Sequence, residues 1–261
     1  MIDSNFHRRV IIGRTPIMLM SNKCNLYGMS FSERVNAGEC EKDPGGYFII
    51  KGNERVIISQ LRGIYNKIIV LSTNNHSRFK YIAEMRSMSE ETGHSVKISI
   101  MIDNSLQNIF FSLRYIKELV PIGIIFKALG ILEDDEIINL IGLRDNQEAS
   151  RYIRIILKNS YFIKTHEQAL EYIGKYSLHP INKEDRIKYA KQVIDSEIMP
   201  HLGIMSTKID KAIILGHMVN KLISTTIGIR EIDDRDNISL KRVEVCGVLC
   251  TELFRTLFKR Y

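Results

Sequence analysis

Apolar positions fall first into short runs and later into longer periodic stretches. Val10 to Met20 carries Val-Ile-Ile and Ile-Met-Leu-Met on either side of Gly-Arg-Thr-Pro, which predicts strand, turn, strand. Tyr47 to Ile50 and Val56 to Ser59 are β-branched and aromatic runs flanking Lys51-Gly52-Asn53-Glu54. The glycine and asparagine suit a tight reversal, so the pattern predicts a hairpin. Lys67 to Leu71 continues as a strand, and the polar stretch Ser72 to Ser77 marks a candidate boundary. Phe79 to Met88 mixes a basic edge with an apolar face. Ser95 to Asp103 places Val96, Ile98, Ile100 and Ile102 at the period of two of a half-buried strand, and Ile109 to Leu113 reads as another.

From Pro121 the period lengthens towards that of a helix. Pro121 suits a first helical turn, Ile122 to Leu129 is apolar, and Gly130 fits a left-handed stop. Glu133 to Ile141 carries acids at the positive end of a short helix. Thr165 with Gln168 makes a capping box for Glu167 to Tyr176. After Asn182, the residues Ile187, Ala190, Val193, Ile194 and Ile198 share one face, with Arg186, Lys188 and Lys191 opposite. Thr207 caps a further helix whose apolar face is read as Ile209, Ala212, Ile213, Gly216, Val219 and Ile223. Val243 to Tyr261 predicts a last helix with Val245, Val248, Leu249, Leu253 and Leu257 in line. Its end at Lys259-Arg260-Tyr261 has no helix stop and reads as cut off.

The 261 residues are 44% hydrophobic, which places the chain in the globular class with room for one large domain or two smaller ones. A net charge of +7 favours polyanionic partners, although an even basic coat also serves solubility. Cys24, Cys40, Cys246 and Cys250 form no C-x-x-C knuckle and are too scattered for a disulfide scaffold, which points to a reducing compartment. Met1 to Arg9 lacks the apolar core of a signal peptide, and no run has the length needed to span a bilayer.

Two stretches carry candidate chemistry. The predicted hairpin would hold Asn53, Glu54, Arg55 and Gln60 in fixed positions, or it is an ordinary buried hairpin. Asp233, Asp234 and Asp236 surround Arg235 and precede Lys241-Arg242. Three carboxylates so close could bind a hard divalent cation, or form a solvated turn with ion pairs. Zinc is disfavoured at Cys24 and Cys40, where His7 is the nearest histidine, and also at Cys246 and Cys250, which suit helix packing.

From Gly45 to Gln60 the order paired glycines, aromatic pair, Ile-Ile, Gly, Glu, basic residue and Gln resembles a hairpin of the second-largest, β or Rpb2-type, subunit of multisubunit RNA polymerases. Arg14-Thr-Pro-Ile-Met-Leu19 resembles the segment preceding it. Lys80 to Ser87, Val120 to Ile131, Ala169 to Gly174 and Leu215 to Leu222 are similar to the lobe of the nuclear, archaeal and large-DNA-virus forms. Asp233 to Asp236 resembles the motif where the chain leaves that lobe. Asn237 and Ser239 stand where the family commonly has histidine and glycine.

The resemblance implies an α+β fold in which a discontinuous protrusion domain with a mixed β-sheet, residues 1–65 and a truncated 233–261, encloses a largely helical lobe, 66–232. It implies that Arg55 contacts the nucleic-acid backbone, with Gln60 and Asn53 as weaker neighbours and Lys51, Lys241 and Arg242 adding charge. Gly45, Gly46, Gly52, Glu54 and Asp233, Asp234, Arg235, Asp236 would be structural motif positions. No catalytic residue, metal or cofactor is implied in this chain. Magnesium would belong to the assembled polymerase, held mainly by the largest subunit. The implied partners are the largest and other polymerase subunits, template DNA and the RNA–DNA hybrid, with no membrane. The implied location is intracellular: the nucleus, or host cytoplasm and virion for a viral form. Competing classes are a free-standing polymerase-derived scaffold for protein partners and a separate nuclease or transferase using the acids at 233–236.

Overall fold

The computed structural model describes residues 11, 13–73, 77–106, 108–177, 182–203 and 206–260. In chain order the first elements are α1 (Phe31–Asn36), β1 (Phe48–Ile50), β2 (Asn53–Arg55), β3 (Gln60–Gly63), β4 (Ile69–Ser72), β5 (Phe79–Met88), β6 (Ser95–Asp103), β7 (Ile109–Ser112) and β8 (Val120–Pro121). The remainder are α2 (Ile122–Ala128), α3 (Asp134–Ile141), α4 (Gln147–Ser160), α5 (His166–Lys175), α6 (Lys183–Glu197), α7 (Lys208–Thr226), β9 (Lys241–Glu244) and α8 (Cys246–Phe258). The fold is α+β. It divides into two compact units, Met1–Arg62 with Val243–Tyr261, and Gly63–Arg242, so the first is discontinuous in sequence. The sequence reading drew these lines at 65/66 and 232/233.

The Gly63–Arg242 unit contains a five-stranded sheet in the order β4-β5-β6-β7-β8, with every neighbour antiparallel. Val96, Ile98, Ile100 and Ile102 on β6 are all buried, the outcome expected of their alternation. Ser72 pairs opposite Tyr81, so β4 and β5 are antiparallel neighbours in one sheet and the boundary predicted between them is not there. The same core takes in Phe126, Leu129, Ile137, Ile153, Ile173, Ile194, Leu215 and Leu222 from the helices. Each such side chain contributes on the order of 1.5 to 3 kcal/mol by leaving water.

Helix starts in this unit follow their capping chemistry. Thr165 and Gln168 form the expected reciprocal box at α5, and Thr207 with Asp210 forms one at α7. Pro121 precedes α2, and Gly130 follows it at φ 95°. On α7 the apolar face is rotated from the one predicted. The buried face keeps the predicted Ala212, Gly216, Val219 and Ile223 and adds Leu215, Met218 and Leu222, whereas Ile209 and Ile213 remain 58% and 50% exposed. Helix α4 was not predicted at all. Its Ala149, Ile153 and Ile156 are buried, and Gly123 on α2 lies so close that a Cβ there would sit 2.5 Å from Ser160 Oγ.

Two buried lysines close helix ends. Lys127 Nζ donates to the carbonyls of Ser160 and Ile163, at 2.9 and 2.6 Å, at and just past the C-terminal end of α4. Lys211 Nζ donates to those of Ile194 and Asp195, at 3.2 and 2.7 Å, in the last turn of α6. A cation placed there satisfies carbonyls that have no helical partner and opposes the helix dipole.

The discontinuous unit has little interior. Phe48 and Glu244 are its buried residues among those described. Helix α8 forms as predicted, yet none of its residues is buried, and Val245, Val248, Leu253 and Leu257 face outward. The sequence reading also missed α1, which opens with a capping box between Ser30 and Glu33. Of the first predicted strand, Val10 and Ile12 lie outside the described residues. Ile17 to Met20 forms no strand, because Met20 turns the chain at φ 60°. Instead Leu19 bonds to Gly46 and Tyr47, its N–H reaching Tyr47 O at 2.9 Å and its carbonyl accepting from Gly46 N at 3.1 Å. Among the described residues no helix is long and apolar enough to cross a membrane.

Candidate nucleic-acid interface

The hairpin exists, with its arms shifted from the predicted ones. Lys51 and Gly52 both take positive φ, 52° and 76°, so the reversal is complete in two residues and the return strand begins at Asn53. Phe48 stands opposite Arg55, Ile49 opposite Glu54 and Ile50 opposite Asn53. The apolar run Val56 to Ser59, read as the second arm, lies beyond β2 without strand structure. Asn53, Glu54 and Arg55 are therefore strand residues themselves, held by the ladder rather than presented by a loop.

The turn before the hairpin is built on Asp43. Its Oδ1 accepts the N–H of Gly45 at 2.9 Å, and its Oδ2 accepts the hydroxyl of Tyr47 at 2.6 Å. The phenol as donor, followed by the Gly45 amide, lowers the Asp43 pKa; the same bond pushes the Tyr47 phenol up to about 12. Gly45, at φ 66°, passes Met20 so closely that a Cβ would lie 2.8 Å from Met20 Cγ. This stitching fixes where β1 starts.

On that frame Arg55 and Lys51 are exposed, and among the described residues neither has a carboxylate partner. Asn53 turns its amide back to Lys51 O at 3.3 Å. Gln60 is not on this hairpin. It opens β3 and is exposed.

The segment with Asp233 to Asp236 belongs to the other unit, and its acids disperse to separate partners. Asp233 joins the free edge of β4 through Val70 and accepts from Arg230 Nη2 at 2.6 Å. Asp234 Oδ1 accepts the N–H of Asp236 at 2.9 Å. Arg235 Nη2 reaches Glu84 Oε1 at 2.6 Å, where Lys97 Nζ meets the other oxygen at 2.6 Å. Asp236 lies 3.5 Å from Lys241 Nζ. Asn237 accepts the N–H of Ser239 at 2.9 Å, capping a short 3-10 turn, Ile238–Leu240. Such a spread suits a structural turn. Among the described residues no three His, Cys, Asp or Glu side chains converge as a metal site would need.

Lys241 and Arg242 are committed locally. Lys241 is the partner of Asp236, and Arg242 Nη1 donates to Lys241 O at 2.7 Å and to Ser239 O at 3.3 Å. The cations at 241–242 belong to the Gly63–Arg242 unit and those of the hairpin to the discontinuous one. Sequence reasoning overlooked the exposed cations of α4. Asn146, whose side chain accepts the N–H of Ala149 at 3.0 Å, and the spacing of Ala149, Ile153 and Ile156 could have signalled that helix.

The family described as RNA polymerase Rpb2, domain 2, matches residues 64–244. The chain is similar to DNA-directed RNA polymerase II subunit RPB2 of Encephalitozoon cuniculi, at 35% identity over 99% of this chain and 23% of the relative. It is 38% identical to the probable DNA-directed RNA polymerase II subunit RPB2 homolog of Invertebrate iridescent virus 6, over 98% of this chain and 24% of that one. With DNA-directed RNA polymerase subunit Rpo2 of Sulfolobus acidocaldarius it shares 33% identity over 97% of its length and 22% of the relative's. The chain thus spans less than a quarter of the length of these curated relatives.

Proposed function

The chain belongs to the family of second-largest subunits of DNA-directed RNA polymerases, and from that premise we propose that it works as part of such a polymerase, lining the nucleic-acid cleft. The Gly63–Arg242 unit serves as the lobe and the discontinuous unit as part of the protrusion. Its work is to hold the RNA–DNA hybrid and template DNA by backbone contacts. Nucleotide addition falls to metal-holding aspartates of the largest subunit, and this chain supplies no catalytic group. The setting is intracellular.

The observation that carries this reading is Arg55, an exposed guanidinium on a short ladder with no carboxylate partner among the described residues. Arginine remains charged at any working pH, and its planar fork matches phosphate oxygens. Contacts of that kind position a nucleic acid without reading its sequence. Binding by the purified chain is therefore weak, salt-sensitive and sequence-independent.

The test is Arg55→Ala in the assembled polymerase, with the half-life of a halted elongation complex measured at two salt concentrations. Loss of a charge-assisted bond of about 1.5 to 3 kcal/mol shortens that half-life roughly tenfold or more. An unchanged half-life would instead favour a scaffold that binds protein partners and takes no part in RNA synthesis.

A further inference from the structure

Helix α4 carries a basic stripe remote in sequence from the hairpin. Arg151, Arg154 and Lys158 follow one another at three and four residues, which places them on one helical face, and all three are exposed. They line an open cleft of about 820 Å³ together with the side chains of Ser150, Asn108 and Asn159. Among the described residues no carboxylate lines this cleft and none pairs with the three cations. Elsewhere in the unit Arg144, Lys183, Arg230 and Arg235 each meet an acid. The stripe is thus positive charge that its own unit does not neutralise.

The helix under the stripe is fixed. Its opposite face is buried on α2, where Gly123 and Ser160 are in close approach, and Asn159 Nδ2 donates to Asn108 Oδ1 at 3.1 Å across the cleft wall. Asn108 Nδ2 is itself held by Asp103 at 2.9 Å. Lys127, donating to carbonyls at the far end of α4, offsets the negative pole that would otherwise repel an anion near Lys158.

We infer that this cleft binds the phosphodiester backbone of a nucleic acid. The three cations span about 10 Å of helix axis, a length over which one strand of a duplex presents about three phosphates. The Asn108 and Asn159 amides each keep one N–H beyond the bonds just described, a neutral donor for phosphate or sugar oxygens, whereas the Ser150 hydroxyl is spent on Asn146 O at 2.9 Å. Among the described residues no aromatic ring lines the cleft, so bases have nothing there to stack on and the contact is indifferent to sequence. An acidic peptide would meet the same charge without using that spacing. This surface is separate from the hairpin proposed above, and the two fail or stand independently.

The experiment uses the full chain, with fluorescence anisotropy of labelled duplex and single-stranded DNA of mixed sequence over a salt series. The variant Arg151→Gln, Arg154→Gln, Lys158→Gln keeps the polar helix surface, and circular dichroism checks that it folds. We expect the slope of log affinity against log salt to become shallower by about 2.7 for duplex and about 2.1 for single strands, at about 0.9 and 0.7 per phosphate. The strand form whose slope falls by its full increment is the one held. Arg154→Gln alone should remove about a third of it. A charge-matched control, Lys175→Gln, Lys188→Gln, Lys191→Gln, should leave the slope nearly unchanged. The proposal is overturned if the control matches the cleft variant, if only Arg55→Ala weakens binding, or if polyglutamate binds in a cleft-dependent manner while DNA does not.

Discussion

Asp233 and Val70 exchange two hydrogen bonds: the Asp233 N–H donates to Val70 O at 2.9 Å, and Asp233 Oδ2 accepts the Val70 N–H at 2.9 Å. The side chain thereby completes a pairing that a neighbouring strand would otherwise make along the edge of β4. Asp233→Ala strands a backbone donor and frees Arg230, and is expected to cost about 1 to 3 kcal/mol. Asp234→Ala breaks one exposed turn bond and is expected to cost about 0.5 kcal/mol or less. Urea unfolding of the two variants would separate them; equal losses would show that the motif acts through charge density rather than through this pairing.

The Asp43–Tyr47 bond gives the discontinuous unit a spectroscopic handle. With its pKa raised to about 12, the phenol's stabilising contribution is whole below pH 10 and is lost as pH rises through about 12. The lowered Asp43 carboxyl contributes above its ordinary 3.8, and that contribution is lost as pH falls through its folded value. Ultraviolet titration against Tyr47→Phe should assign the late-ionising tyrosine. In Asp43→Asn that tyrosine should ionise nearer 10.

Lys211 titrates in the opposite sense. Burial lowers its pKa below 10.5, so the unfolded chain holds the proton more tightly than the folded one between the two values. The wild type should gain stability relative to Lys211→Met as pH is raised towards 10.5. At neutral pH the variant should still be the weaker, because the carbonyls of Ile194 and Asp195 lose their donor. Denaturant unfolding at a series of pH values measures both effects. A gap that stays constant with pH would mean that Lys211 is solvated in the folded state.

Gly123→Ala tests how firmly α4 is seated. The added methyl meets Ser160 Oγ at 2.5 Å and Ile156 O at 2.8 Å, and the second of these is backbone that cannot rotate away. A loss of about 1 to 3 kcal/mol is expected. Thermal unfolding gives the size, and a companion Ser160→Ala, Gly123→Ala double variant should recover part of it.

Elements specified by local chemistry were legible in the sequence. The α5 box is set by Thr165 and Gln168, and the β6 alternation by four residues of the strand itself. The hairpin was legible as a hairpin, but its register was not. That depends on Lys51 and Gly52 both adopting positive φ, a choice that composition permits without requiring. The rotated face of α7 and the exposed face of α8 show another limit. Periodicity says which side of a helix is apolar, while burial depends on what is packed against it. At the candidate interface, Arg55 could be named from its place in a motif. The engagement of Lys241 with Asp236 needed coordinates, and the α4 stripe was lost together with its helix.

The ends of the Gly63–Arg242 unit lie side by side, since Ile64 N–H donates to Leu240 O at 2.8 Å. Bringing the ends of so long a flexible segment together would cost on the order of 4 to 5 kcal/mol in loop-closure entropy. Once this unit has folded on its own extensive core, that cost has already been met. For the discontinuous unit the whole insertion then acts as a short tether between its two pieces. A unit with so little interior of its own can therefore be assembled from distant parts of the sequence without bearing the entropy of their separation.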